Sequence, residues 1–268
     1  MLATDFEYDG QYLKNWGCMV CYTDSKSDFE TVDNVAQKTY NTVSQFYGKH
    51  FALTYSYYED RIEITFQICK YDCKSGMSAF TPYEVREIRR WLNRNDFHKF
   101  KLIQDNWADY YMNGTFNVSE LQIAGHTYVL ELNFISDAPF SKHEPITYKF
   151  RLENPGVDKF TFFDPSDEEG YIYPDMKIHV LQQGDLELSN SNEDGRITLI
   201  ENCYKDEDIT FTKDLVFYSS LPSHKIQNDF NYSFLRVSNS YYNRKNVITS
   251  TLPVEIEMTY SPYVKVVF

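Results

Sequence analysis

Apolar and polar residues alternate with a period of two along much of this 268-residue chain, a pattern typical of half-buried β-strands. The first aromatic run, residues 6–8, ends in the turn signal Asp9-Gly10, and a second apolar run follows at residues 16–21. We predict that these two runs pair as strands. Because β-structure so close to Met1 leaves no room for a secretory signal, we expect that none is present.

The rest of the first half contains further alternating runs. They are residues 53–57, 62–68, 100–102, 116–118 and 128–134. The first two of these runs are close enough to form a hairpin whose turn lies at residues 59–61. Asn113-Gly114 is a strong two-residue turn signal, so we place a turn before the run at 116–118. The polar, irregular residues 24–50 are predicted to form a loop.

One helix is convincing. Residues 81–84, Thr-Pro-Tyr-Glu, form a capping-box motif with proline at the first helical position, so a helix is predicted over about residues 82–93. Four apolar residues then recur at helical spacing on one face, and four arginines lie largely on the other. These are Val85, Ile88, Trp91 and Leu92, and Arg86, Arg89, Arg90 and Arg94. In so acidic a chain the arginines favour a solvated face or a contact with a neighbouring acidic subunit over a nucleic-acid site.

The second half shows only short strand-like runs and no helical pattern after residue 140. The runs are residues 146–150, 160–163, 186–188, 197–200, 209–211, 215–218, 234–237 and 254–258. Turn signals stand at Gly184-Asp185 and Asp194-Gly195. Many short strands at this spacing are typical of a β-sandwich.

The predicted fold class is therefore all-β with one helix, organised as two β-sandwich domains. The length suits two domains of about 100–150 residues each. The segment Ser-Asp-Ala-Pro-Phe at residues 136–140 is the best linker candidate. We place the first domain at 1–136, the linker at 137–141 and the second domain at 142–268.

Charge and composition exclude several classes of protein. The net charge is −13 and both halves are acidic, whereas binding to phosphates requires clustered Lys and Arg. A chain with 42% hydrophobic and 17% aromatic residues is too apolar to be disordered. No stretch reaches the roughly 18 uninterrupted apolar residues of a membrane helix, so no membrane insertion is expected.

The cysteines favour free thiols over a metal site. They are Cys18, Cys21, Cys69, Cys73 and Cys203. The pairs 18/21 and 69/73 could supply four thiolates to zinc. However, residues i and i+3 of a strand point to opposite faces, where Cys18 and Cys21 cannot hold one ion. We therefore expect buried, reduced cysteines and no metal or cofactor.

Catalytic motifs are not apparent in the sequence. There is no G-x-S-x-G, P-loop or H-E-x-x-H pattern. The histidines do not pair at ligand spacing; they are His50, His98, His126, His143, His179 and His224. The carboxylates Asp164, Asp167, Glu168 and Glu169 lack the spacing of a calcium loop, which favours a solvated acidic turn. We predict that the protein is not an enzyme and has no catalytic, cofactor-binding or metal-binding residues.

Several stretches, taken as a series, resemble one family. In order they are residues 6–10 with 16–21, 90–94 (Arg-Trp-Leu-Asn-Arg), 97–102 (Phe-His-Lys-Phe-Lys-Leu), 137–140 (Asp-Ala-Pro-Phe), 170–175 (Gly-Tyr-Ile-Tyr-Pro-Asp), and 224–226 leading into 230–232. Their order and spacing cover essentially the whole chain, which resembles the distal tail proteins (Dit) of long-tailed, siphovirus-type phages and prophages of Gram-positive bacteria.

The resemblance implies a structural protein of the phage tail tip or baseplate, made and assembled in the bacterial cytoplasm. It implies a tail-tube-like first domain with a projecting hairpin, six copies of which form a ring between the tail tube protein and the tail hub. DNA would pass through this ring without specific binding. It further implies a galectin-like second domain to which receptor-binding or other baseplate proteins attach.

The alternative is a carbohydrate-binding module that recognises host cell-wall glycans through the second domain. Sugar rings usually stack on exposed aromatic residues, most often Trp, but all three tryptophans precede the linker. The tyrosines that could substitute are Tyr171, Tyr173, Tyr241 and Tyr242. Tyrosines in a sandwich more often lie in the core or at a subunit interface. The chain also lacks the sugar-binding signatures of true galectins, and fold alone does not confer function.

Overall fold

A computed structural model of the chain describes residues 3–21, 38–44, 52–58, 61–72, 76–104, 108–240 and 242–265. The chain divides into two units: the described residues up to Lys142 together with Lys265, and His143–Val264. The second domain was predicted to extend to residue 268, whereas Lys265 groups with the first unit. Its ammonium lies over the rings of Tyr58 and Phe140, at 5.3 and 5.8 Å from their centroids.

The first unit is built mainly from one antiparallel sheet. Its strands are β1 (Asp5–Tyr8), β2 (Gln11–Tyr12), β3 (Cys18–Cys21), β4 (Lys38–Ser44), β5 (Ala52–Tyr58), β6 (Glu63–Asp72), β7 (Gly76–Ser78), β8 (His98–Ile103), β9 (Tyr110–Ile123) and β10 (His126–Ser136), and β11 (Ser141–His143) lies at the division. A 3₁₀ turn covers Leu13–Trp16 and helix α1 covers Pro82–Leu92. The sheet order is β2-β1-β8-β9-β10-β6-β3, with β7 beside β6.

This sheet curls until its two ends meet. Phe6 of β1 and Phe66 of β6 have ring centroids 5.7 Å apart. Four strand spacings separate β1 from β6 in the order, which is about 19 Å in a flat sheet. The amide of Val20 in β3 also donates to the carbonyl of Thr4 at 3.0 Å. The two halves of the curled sheet therefore face each other across one aromatic core.

Helix α1 begins as predicted. Thr81 is its N-cap and forms the complete capping box with Glu84. All four predicted apolar positions are buried, and Trp91 stacks on Phe6 at 5.7 Å and donates from Nε1 to the carbonyl of Tyr8 at 3.1 Å. The helix thereby covers the core beside the first strand.

The predicted hairpin between residues 53–57 and 62–68 is wrong. Both runs are strands, but β5 pairs with β4, while β6 pairs with β10, β3 and β7. Residues 38–44, predicted as loop, are the strand that β5 pairs with. A period of two identifies the buried face of a strand but not its partner. The predicted turn includes residues 59–60, which lie outside the described residues.

The opening of the chain also differs from its prediction. Across the Asp9-Gly10 turn, β1 pairs with the two-residue strand β2, not with the run at 16–21. Trp16 lies in the 3₁₀ turn, which ends at Gly17 with a positive φ of 65°. The apolar run after it, β3, pairs with β6 instead.

Asn113-Gly114 is not a turn. Strand β9 runs through it, and the hairpin to β10 turns at Ala124-Gly125, both with positive φ. A Cβ on Gly114 would lie 2.3 Å from the ring of Phe134 on β10. This glycine therefore permits close approach of an aromatic ring inside a strand.

The second unit is a two-sheet sandwich. Its strands are β12 (Ile146–Leu152), β13 (Phe160–Phe163), β14 (Gly170–Ile172), β15 (Asp175–Val180), β16 (Gly184–Asn190), β17 (Ile197–Cys203), β18 (Asp208–Phe211), β19 (Phe217–Ser219), β20 (Val237–Asn239), β21 (Lys245–Ser250), β22 (Val254–Tyr260) and β23 (Tyr263–Val264). Two sheets, β12-β22-β15-β18-β19 and β13-β21-β16-β17, enclose one buried core, and β14 pairs with β20.

The prediction of an all-β fold is confirmed, with differences in detail. Strands β14, β15, β21 and β23 were missed, and Gly184 begins β16 instead of forming a turn. The run predicted at 234–237 is a strand only from Val237, where β20 begins. The short helix α2 (Ile226–Asp229) follows residue 140, where no helix was predicted. A single turn carries too little periodic signal to be recognised. In the described part of the chain, no helix is long and apolar enough to span a membrane.

Candidate interaction surfaces

The hairpin of β4 and β5 forms a two-stranded sheet of its own. Its side chains Tyr40, Tyr55 and Tyr57 are 67%, 52% and 49% exposed. Because side chains alternate along a strand, Tyr55 and Tyr57 share one face, and the register places Tyr40 on the other. At the end of β5, Tyr58 packs edge-to-face on Phe140 at 4.7 Å. The hairpin is thus held at this end and exposes aromatic rings on both faces.

Two of the four arginines in and after α1 form close ion pairs with carboxylates of their own unit. Arg89 lies 2.9 Å from Glu120 of β9, and Arg94 lies 2.7 Å from Asp9 in the first turn. Paired guanidinium groups do not form the free basic cluster that phosphate binding requires. Arg86 and Arg90 are exposed, as expected of a solvated face, which is one of the two alternatives predicted for these arginines.

The described cysteines have the properties of buried thiols. Burial raises the pKa of Cys18 to about 12 and that of Cys203 to about 12, because the thiolate is poorly solvated there. Cys18 is buried and Cys21 is half-buried, as the alternation along β3 requires. Cys73 lies outside the described residues. Across the described parts, no group of three His, Cys, Asp or Glu side chains could hold a metal ion.

The acidic segment before Gly170 is only partly solvated. Asp164 is 2% exposed and accepts hydrogen bonds from the Ser166 hydroxyl at 2.9 Å and from the Tyr260 hydroxyl at 3.3 Å. Burial, followed by the charge of Asp164, raises the pKa of Tyr260. The expectation of a solvated turn is therefore wrong for Asp164, which joins two parts of the sandwich.

A buried polar cluster in the second unit was missed by sequence reasoning. His224 Nδ1 lies 2.6 Å from Oε1 of Glu207, the Ser219 hydroxyl donates to the same oxygen, and Asp229 lies 3.3 Å from His224 Nε2. In a catalytic triad the histidine stands between the acid and the serine. Here Ser219 and His224 share one carboxylate oxygen, so the cluster is arranged to anchor β19 and α2. No local motif joins residues so far apart in sequence.

Two rows of side chains, basic and acidic in turn, cross the exposed face of the five-stranded sheet of the second unit. One is Lys149–Glu257–Lys177 and the other is Arg151–Glu255–His179–Asp208, in strand order β12, β22, β15 and β18. A hydrogen bond from His179, followed by Lys177, holds the pKa of Asp208 below its ordinary value. A face of paired charges stabilises the sheet and is not an aromatic platform for a sugar ring.

The tyrosines considered for sugar binding have different environments. The Arg236 guanidinium lies 3.9 Å over the ring of Tyr171, and Tyr173 packs against the sandwich core. Tyr242 is 97% exposed, and Tyr241 lies outside the described residues. The rings of Tyr171 and Tyr173 contact each other edge-to-face at 5.5 Å. Carbohydrate binding through these tyrosines stays a prediction.

Comparison with known families decides the class of protein. Residues 1–138 match the family model described as phage tail protein N-terminal domain, and residues 140–260 match the one described as phage tail C-terminal domain. The chain belongs to this phage tail protein family. No curated protein sequence matches it. A structural role in the phage tail follows from the family.

This tail protein also shares its fold with a solved structure. The crystal structure of the SPP1 Dit protein (gp 19.1), described as a paradigm of the hub adsorption apparatus in phages that infect Gram-positive bacteria, aligns with a TM-score of 0.58. The alignment covers 97% of this chain and 99% of that chain at 12% identity. At this identity the likeness shows the fold alone. The resemblance of the tail protein to distal tail proteins is confirmed at that level.

Proposed function

We propose that this tail protein forms a hexameric ring that joins the tail tube to the tail hub and leaves a channel for DNA. The first unit forms the ring, and the second unit, a galectin-like sandwich, docks receptor-binding or other baseplate proteins. The match to phage tail domains and the Dit-like fold support this role.

The observation that carries the ring is the exposed hairpin of β4 and β5. A two-stranded hairpin is at best marginally stable in water on its own. Tyrosine is enriched at protein interfaces, where its ring supplies contact area and its hydroxyl stays hydrogen-bonded. Neighbouring copies that cover both faces would stabilise the hairpin. Repeated head-to-tail contacts of this kind close into a ring when the rotation between copies permits.

The charges of the first unit are consistent with a passage that does not retain DNA. In the described part of the hairpin the only charged residue is Lys38, and the other polar side chains are hydroxyls and one amide. The arginines Arg89 and Arg94 are paired with carboxylates. Cations that are already paired with carboxylates offer DNA phosphates little gain on binding, so the polymer can slide past them.

The test is the mass and shape of the purified full chain at high concentration, by light scattering and negative-stain imaging. We expect the mass of six copies of the 31.8-kDa chain, or of two such rings, and a central hole. The double variant Tyr55→Lys/Tyr57→Lys places charge on one hairpin face and should remain monomeric. The matched control, Tyr242→Lys in the second unit, should still form rings. A wild-type monomer that persists during co-expression with the tail tube and hub proteins would refute the ring.

A further inference from the structure

The outer edge of β19 is an open strand edge. β19 is the last strand of its sheet, and no other strand of the described residues pairs with that side. The Thr212 amide donates to the Val216 carbonyl at 2.8 Å, so Val216 and, two residues on, Tyr218 direct their backbone groups toward β18. In an antiparallel pair the intervening residues point the other way. The backbone groups of Phe217 and Ser219 therefore face outward.

Apolar side chains flank this edge on both sides of the sheet. Val216 and Tyr218 are more than half exposed on the outer face. On the inner side, Phe217 packs on Phe230, and the exposed ring of Tyr232 packs on Phe217 at 5.5 Å. We call Leu215, Val216, Tyr218 and Tyr232 the edge patch. It continues the sandwich core outward, where a further strand would cover it.

Backbone strain coincides with the edge patch. Leu215 and Tyr232 have φ values of 62° and 58°, a region that large side chains rarely adopt. The other described non-glycine residues with positive φ are Asp9, Ala124, Asn202 and Asp206, which are small or form local hydrogen bonds readily. Strained residues persist where the surroundings require them, and they cluster at ligand-binding positions. Both bulky outliers belong to the patch.

The opposite edge of the same sheet carries charged side chains, which β19 lacks. Edge strands usually carry charged side chains or proline, which prevent pairing with other chains. β12, the other terminal strand, exposes Lys149 and Arg151. Residues 215–220, Leu-Val-Phe-Tyr-Ser-Ser, contain neither a charge nor a proline. Charged side chains therefore oppose strand addition at β12 but not at β19.

We propose that the β19 edge receives an extended segment of another tail protein, which adds a sixth strand to this sheet. The segment bonds to the outward backbone groups of Phe217 and Ser219, and alternating apolar side chains contact the edge patch on both faces. A second copy of this chain is a poor occupant. It offers only the same three-residue strand, whereas stable interfaces bury about 1,200 Å² or more. The inference rests on the docking role proposed for the second unit.

The test compares amide hydrogen exchange of the full chain free in solution and within purified tails of its phage. We expect the amides of Phe217 and Ser219 to exchange at least about tenfold more slowly in tails, because an added strand would bond them. Equal exchange in the two states would overturn the proposal.

A paired variant separates this site from the ring. Val216→Lys/Tyr218→Lys guards the edge without touching the core, and Thr147→Lys on β12 is the matched control. We expect the edge variant to form rings of normal mass. Its tails should lack one protein component, and the amides of Phe217 and Ser219 should not exchange more slowly there. The control variant should keep both the component and the slow exchange. Complete tails with the edge variant would overturn the proposal. Loss of rings in the edge variant alone would assign the edge to a second copy, whereas loss of rings in wild type would refute the proposed function.

Discussion

Two hairpins of the first unit share an alternating pattern of residues but have opposite environments. Strands β9 and β10 lie between β8 and β6 and bury Phe116, Leu132 and Phe134 in the core. Strands β4 and β5 pair with each other and expose Tyr40 and Tyr55. Both alternate aromatic or β-branched residues with polar ones. The same pattern therefore serves a core in one place and an open surface in the other, and the neighbouring strands make the difference.

The two hairpins also differ in how closely their side chains pack. On β9 and β10 the ring of Phe134 occupies the space over Gly114, and Phe116 lies 5.1 Å from it. On β5, Tyr55 is half exposed. Substitutions should therefore be costly in the first hairpin and nearly neutral for folding in the second. All three tryptophans precede residue 142, so Trp fluorescence during urea unfolding reports on the first unit.

The largest expected effect is from Phe116→Ala. Its ring contacts Phe6, Tyr8, Phe66 and Phe100, so truncation should leave a cavity and lower the free energy of unfolding by about 3–5 kcal/mol. The measurement is the urea midpoint of the fluorescence transition. A loss below about 1 kcal/mol, as expected of a surface residue, would break the comparison between the two hairpins.

Gly114→Ala should cost somewhat less, about 1–3 kcal/mol. The new Cβ would lie 2.3 Å from the Phe134 ring and 2.4 Å from the Ile135 carbonyl oxygen, so the strands must shift. Adding Phe134→Leu makes room on one side, and we expect the double variant to cost less than the sum of the single changes. Strict additivity in this cycle would show that the clash is not with Phe134.

Lowering the pH should remove a smaller contribution to the free energy of unfolding, which Glu84 makes at the start of α1. A hydrogen bond from Lys70 at 2.7 Å, followed by the Thr81 amide, holds the pKa of Glu84 below its ordinary value. A carboxyl with a lowered folded pKa contributes stability above its unfolded pKa, about 4.3, and loses it as pH falls through the folded value. The destabilisation caused by Glu84→Gln should therefore be present at pH 7 and shrink below about pH 4. A cost that does not change with pH would contradict this.

The smallest effect on folding is expected for Tyr55→Ser. The side chain is half exposed, so the free energy of unfolding of the dissociated chain should change by less than about 0.5 kcal/mol. The same substitution should weaken ring formation, measured as the concentration at which the six-copy mass disappears. A large loss of monomer stability would show that the hairpin belongs to the core of its own unit.

Parts of the fold could be predicted because their signals are local. The capping box at residues 81–84 and the buried face with Ile88 and Trp91 lie within one helix, and the structure confirms both. Strand β10 was recognised from its own alternation. Strand partners were not predictable in this way. β5 has the same local pattern whether it pairs with β4 or with β6, and only the competition among all strands selects the partner.

The candidate surfaces could be predicted from the sequence even less well than the strand partners. The anchor of His224, Glu207 and Ser219 joins residues from three segments, and the charge rows depend on the register of four strands. Neither leaves a pattern in consecutive residues. Asn113-Gly114 shows the reverse problem, since a reliable local signal for a turn is overridden by the packing of Phe134.

By itself, the sequence determined the all-β class, the position of α1, the acidic character and a series of stretches that resemble distal tail proteins, because each is a property of composition or of neighbouring residues. Only the tertiary structure decided which strands pair, that Asp164 is buried, and that the tyrosines of β4 and β5 and the edge of β19 stay open. Burial and pairing depend on residues distant in the chain. The same alternating pattern becomes core or surface according to what packs against it.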